Sequence, residues 1–151
     1  MKITNQELRK AGLKITLPRI KILELLERSE NHHMSAEEVY KALIEQGEDV
    51  GLATVYRVLT QFEQAGIVER HNFENNLSVF EITQDEHHDH MVCDVCGKII
   101  EFHNSIIEQE QLKVAAEQGF RLSGHSLVLY GLCANEACQD SARKNNKHGN
   151  V

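Results

Sequence analysis

Leu52-Ala53-Thr54-Val55-Tyr56-Arg57-Val58-Leu59-Thr60-Gln61-Phe62, stopped soon after by Gly66, is the stretch on which the fold turns. Leu52, Val55, Leu59 and Phe62 recur at i, i+3, i+7 and i+10, one narrow apolar stripe of an amphipathic helix, and a glycine just past the stripe is a common helix terminator. The opposite face carries Thr54, Arg57 and Gln61, with Tyr56 near its margin.

Downstream, the runs 67–73 and 78–82 read as two strands joined at the turn-prone Glu74-Asn75-Asn76, hence a hairpin. Upstream, Ser35-x-x-Glu38 is a capping box ahead of Val39, Tyr40, Leu43 and Ile44, with Gly47 as the stop. Pro18 suits a first helical turn and is followed by Ile20, Leu23 and Leu26; Thr4-x-x-Glu7 opens a shorter helix that Gly12 closes. A helical series ending in a two-stranded ribbon is the order of a winged helix-turn-helix, whose last helix enters the DNA major groove. Residues 1–83 are therefore expected to form a winged-helix unit, with Gln84-Asp85-Glu86 as the hinge. Beyond it, strands at 91–92, 99–100 and 126–132 and a helix over 105–118 predict a small α/β unit spanning 87–139. The polar segment 140–151 is expected to be a disordered tail. The fold class is α+β.

The chain has 151 residues, 41% of them hydrophobic, and no internal repeat. No apolar segment approaches a membrane span and the first residues lack a signal-like core, so the expectation is a cytoplasmic protein without a membrane partner. The net charge of −7 opposes nucleic-acid binding, but residues 1–21 hold six basic side chains (Lys2, Arg9, Lys10, Lys14, Arg19, Lys21) against Glu7 alone. A local basic arm precedes an acidic body.

All four cysteines lie in the second half. Cys93-Asp94-Val95-Cys96-Gly97 is a metal knuckle, and Cys133 and Cys138 supply a second close pair. Four thiolates in a tetrahedral shell select Zn(II), and a closed shell is structural. A redox CxxC with two unrelated cysteines is the alternative.

In His87-His88-Asp89-His90 an extended backbone alternates side chains, so His88 and His90 face one way and His87 and Asp89 the other. Two sites can share one strand, completed by carboxylates such as Glu81, Glu101 or Glu108 and histidines such as His33 or His125. Such nitrogen and oxygen shells suit Fe(II), Mn(II), Co(II) or Zn(II); the alternative is a solvated hinge that holds nothing. An open histidine–carboxylate site can also activate water, but no H-E-x-x-H, phosphate loop or G-x-S-x-G accompanies it, so no enzyme is expected. A zinc-ribbon adaptor for protein partners accounts for the cysteines and leaves the helical half without a role.

Ala11-Gly12-Leu13-Lys14-Ile15-Thr16-Leu17-Pro18-Arg19, Gly51-Leu52-Ala53-Thr54-Val55-Tyr56-Arg57-Val58-Leu59, His71-Asn72-Phe73-Glu74 and His87-His88-Asp89-His90-Met91-Val92-Cys93 closely resemble the ferric uptake regulator family of bacterial repressors. The resemblance runs from about Leu8 to Cys138. It implies homodimers, with tetramers as the alternative, that bind AT-rich palindromic operators of iron-homeostasis genes on double-stranded DNA. It implies that Tyr56 and Arg57 approach bases and Lys14 the minor groove, with Arg19 and Thr54 counted among the DNA contacts. It maps a sensor Fe(II) onto His33, Glu81, His88, His90 and Glu101, a further site onto His87, Asp89, Glu108 and His125, and structural Zn(II) onto the cysteines. Mn(II), Co(II) or Zn(II) are substitutes at the sensor. Relatives that sense zinc, manganese or peroxide are the alternatives; glutamates at 81 and 101, where peroxide sensors tend to carry aspartates, resemble the iron branch.

Overall fold

Thr16 and Ser35 set where two of the four N-terminal helices begin. In the computed structural model, which describes residues 5–29, 33–74, 76–84 and 86–142, Thr16 Oγ1 accepts from the Arg19 amide at 3.4 Å. Pro18 occupies the first turn of α2 (Leu17–Arg28), where its missing N–H costs nothing. Ser35 accepts from the Glu38 amide at 3.1 Å while the Glu38 carboxylate accepts from the Ser35 amide at 3.4 Å, and this closed box starts α3 (Ala36–Glu45). Before them lies α1 (Asn5–Lys10), whose expected cap Thr4 is outside the described residues. After them comes α4 (Leu52–Gln64), ended at Gly66 by a backbone turn at φ +76 that a side chain would resist.

The chain divides into two units, Met1–Asp85 and Glu86–Val151. In the first, Ile22, Val39, Leu43, Val55, Leu59 and Phe62 are all at 0% exposure and form one core under three helices. Three expected stripe members, Ile20, Ile44 and Leu52, lie outside it. Leu52 is at the solvent-facing first turn of α4, and Ile44, about 100° round α3 from buried Leu43, points away from the core. On α2 the buried set is Ile22, Leu23 and Leu26, so the core face is turned slightly from the expected Ile20, Leu23 and Leu26.

The ribbon pairs β1 (Val68–Asn72) with β2 (Ser78–Ile82) antiparallel, placing Glu69 opposite Glu81 and His71 opposite Val79. Met34 adds a bridge to Phe80, with reciprocal backbone bonds of 3.0 and 2.8 Å. That bridge fixes His33 beside β2.

In the second unit β3 (Asp89–Cys93) is the middle of a three-stranded sheet, with β4 (Ile99–Phe102) antiparallel on one side and β5 (Val128–Gly131) parallel on the other. The parallel neighbour requires a crossover, supplied in part by α5 (Ser105–Glu117), which starts where Asn104 Oδ1 accepts from the amides of Ile106 and Ile107. No residue of α5 is buried. A short α6 (Glu136–Ala142) continues into the segment expected to be a tail; residues 143–151 are outside the described ones.

Candidate metal centres and the exposed helix face

The knuckle that ends β3 turns at Gly97, whose φ of +75 and amide bond back to the Cys93 carbonyl at 3.0 Å bring Cys96 round toward Cys93. Cys133 follows β5, and Cys138 is carried by α6, for which Asn135 is the cap. The four thiols converge, each offering a sulfur within 4.8 Å of the others, and Cys96 Sγ stands 3.7 Å from Cys133 Sγ. Tetrahedral Zn–S bonds of ~2.3 Å put sulfurs ~3.8 Å apart, so the spacing fits that ion. Burial alone would raise the Cys93 thiol, yet the amides of Cys133, Cys96 and Val95, with the Cys96 thiol, outweigh it and hold it at about 6. Cys138 goes the other way, pushed up to about 12 by burial and by the neighbouring thiols of Cys133, Cys96 and Cys93.

The alternation expected of residues 87–90 is what their side chains do. On one side, His87 Nε2 lies 3.0 Å from both Asp89 Oδ1 and His125 Nε2. His125 Nε2 is 3.3 Å from Asp89 Oδ1 and from Glu108 Oε1, and His87 Nε2 is 3.8 Å from Glu108 Oε1. Donors around one first-row ion at ~2.1 Å stand about 3.0–3.5 Å apart, and all of these separations but the 3.8 Å one between His87 and Glu108 fall in that range. Asp89 is only 1% exposed and its Oδ2 has no hydrogen-bond partner among the described residues, a cost that a cation would relieve.

On the other side of β3, His88 and His90 bring their rings to 4.9 Å, His90 is paired in register with Glu101 of β4, and His88 Nε2 is 3.5 Å from Glu101 Oε1. In the first unit, His33 Nε2 meets Glu81 Oε2 at 3.0 Å with both side chains wholly buried. Sequence reasoning missed what else touches that carboxylate. His71 Nε2 is 2.5 Å from Glu81 Oε1 and 3.8 Å from Glu69 Oε2. The i, i+2 spacing of Glu69 and His71 was a visible signal; the cross-strand register that sets both beside Glu81 was not.

Of the residues expected at DNA, Tyr56 is 41% exposed on α4, Arg57 and Lys14 are exposed, and Thr54 and Arg19 are half-buried. Arg19 donates to the Lys14 carbonyl at 2.8 Å and to Gln61 Oε1 at 2.8 Å, tying the loop that carries Lys14 to α4. The Tyr56 hydroxyl donates to Glu37 of α3, which lowers the Glu37 carboxyl and raises the Tyr56 phenol. Glu37 is a second residue that sequence reasoning did not find.

A helix-turn-helix unit with an open aromatic and basic helix face, carried on one chain with several clusters of metal-ligand side chains among the described residues, defines a metal-dependent transcription regulator. The sequence profile of the Ferric uptake regulator family matches residues 10–130. The ferric uptake regulation protein of Escherichia coli K12 is 60% identical over 136 residues, 90% of this chain and 92% of that protein. The Vibrio cholerae ferric uptake regulator, whose crystal structure reveals rearrangement of its DNA-binding domains, is similar at a TM-score of 0.80 and 59% identity, covering 85% of this chain and 98% of that one. The regulator of Francisella tularensis, solved with iron, gives 0.78 at 41% identity over 85% of this chain and 96% of its own. This chain belongs to the ferric uptake regulator family. Its function is that of a metal-dependent transcriptional repressor of iron homeostasis.

Proposed function

We propose that the chain is an Fe(II)-responsive repressor that binds AT-rich, palindromic operators as a homodimer in the cytoplasm. Residues 1–83 read DNA, 84–86 act as the hinge, and 87–139 dimerise and hold metal. The observation that carries this reading is the division of the candidate sensor ligands. His33 and Glu81 are paired in the first unit, while His88, His90 and Glu101 are gathered in the second. Two donors, or three, make an incomplete shell; five from both units complete one. Bound Fe(II) supplies the charge that offsets Glu81 and Glu101 and the directed bonds that unite the two sets. Iron in the Francisella tularensis relative supports the choice of metal; Mn(II), Co(II) or Zn(II) substitute.

With their ligands held at one point, the two units lose freedom about 84–86. The paired α4 helices of a dimer then keep one separation, which selects the conformer matched to operator half-sites. Arg57 reaches a base edge or phosphate, Tyr56 packs on thymine methyls, and Lys14, braced by Arg19, enters a narrow AT-tract minor groove, with Thr54 completing the contact set. The cysteines hold structural Zn(II), and His87, Asp89, Glu108 and His125 hold a further ion. In this reading metal serves a switch and not a catalyst. Coupling of about 2–3 kcal/mol would change operator affinity ~30- to 150-fold. Anaerobic operator titrations with Fe(II), Mn(II), Zn(II) and chelator test it: affinity should rise with Fe(II), and equal affinity in every arm would sink the switch.

A further inference from the structure

We propose that Glu69, His71 and Glu81 form a capture site for a divalent cation inside the first unit, from which the ion passes to Glu81 and His33. The inference rests on the reading of Glu81 as a sensor ligand and adds a place where the ion is held first. Three observations carry it.

The ribbon register sets Glu69 directly opposite Glu81, and like charges at that spacing destabilise a strand pair unless a positive charge stands with them. His71, two residues on from Glu69 and so on the same face, brings Nε2 to 2.5 Å from Glu81 Oε1 and 3.8 Å from Glu69 Oε2. One imidazole and two carboxylates, each offering an atom within 4.8 Å of the others, make a mixed shell suited to Mn(II), Fe(II), Co(II) or Zn(II). Exposure also falls along the cluster, from 50% at the Glu69 side chain through 19% at His71 to 0% at Glu81 and His33. An ion met at Glu69 can move inward by exchanging one ligand at a time, with Glu81 retained throughout: Oε1 faces His71 while Oε2 faces His33. In this proposal a single ion occupies the capture set first and the sensor shell next, with Glu81 a ligand in both. A residue that acts only in capture should change how fast the ion arrives and leaves, but not where the equilibrium lies.

The test uses the full chain with its cysteine-bound zinc retained and Mn(II) alone as the probe. In His90→Ala, which weakens the second unit's ligand set, trace Mn(II) should broaden the backbone amide resonances of residues 69–71 and 81. Adding Glu69→Gln should restore them. Glu69 is half exposed and the change is isosteric, so folding should persist, and an unchanged amide spectrum without Mn(II) verifies that. In the chain with His90 intact, Glu69→Gln should slow Mn(II) association and dissociation alike by at least about threefold, with the affinity altered less than twofold. Sharp amides at 69–71 in His90→Ala, broadening that survives Glu69→Gln, or unchanged rates would each overturn the capture site. A chain that shows these Mn(II) effects but binds operator equally with and without Fe(II) would retain the capture site and lose the proposed switch.

Discussion

Single side chains on β3 separate the roles that the fold keeps apart. Asp89 and His90 are neighbours in sequence, both buried, and face opposite sides of the strand, so substitutions there should report on different ions. His90→Ala leaves the apolar core of either unit intact. Its zinc content and melting profile should stay close to those of the parent chain, while Fe(II) no longer raises operator affinity; a folded His90→Ala protein with a full metal response would remove His90 from the sensor set. Arg57, exposed on α4, belongs to the other end of the mechanism. Arg57→Ala should weaken operator binding by about 1–3 kcal/mol with metal content unchanged by elemental analysis, and undiminished binding would exclude Arg57 as a contact. The split of the histidine run was legible because it follows from the two-residue period of a strand, a strictly local property. That Tyr56 is held by Glu37 across nineteen residues of chain, or that His71 backs Glu81, was not legible. Such contacts are fixed only once α3 has packed on α4 and β1 has found its register with β2.

At the level of elements, the knuckle, β5 and α6 meet around four converging thiols, and the structural zinc proposed there would tie them together. Cys93 and Cys138 are the buried residues that link them, and α6 is a single short helix with little apolar surface of its own. A structural zinc contributes its binding energy as folding energy. Cys93→Ser should therefore lose about one equivalent of zinc per chain and collapse the amide dispersion of the second unit while that of the helical first unit persists. Retention of both zinc and second-unit signals would contradict a structural role. The capping box at Ser35 and the α4 stripe were readable in advance because each needs only residues within a few turns. α6 was not, since its reason to exist is Cys138 and the cap at Asn135, and a polar composition hides both.

On the scale of the whole molecule, the second unit carries apolar surface that one chain does not cover. Met91, Ile100 and Leu129 are each more than two-fifths exposed on the sheet, and Ile106, Leu112, Val114 and Phe120 are exposed along α5 and just beyond it. In the proposed homodimer, this exposed apolar set on two elements of one small unit is the surface that the second copy is expected to cover. Sequence reasoning placed α5 correctly yet could not tell which of its apolar positions face a core, because periodicity gives a stripe without naming what covers it. Leu129→Glu tests the pairing. The side chain is 41% exposed in the single chain, so a glutamate there meets water in a monomer and costs the fold little. At a dimer interface the same carboxylate is buried without a partner, which costs several kcal/mol. Light scattering should then find a folded, zinc-loaded monomer where the parent chain is a dimer. Operator affinity should fall by ~10²–10⁴ even with Fe(II) present, because one winged helix engages one half-site without the effective concentration that linkage provides. A Leu129→Glu protein that stays dimeric and binds operator at full strength would place the interface elsewhere, with α5 the next surface to carry it.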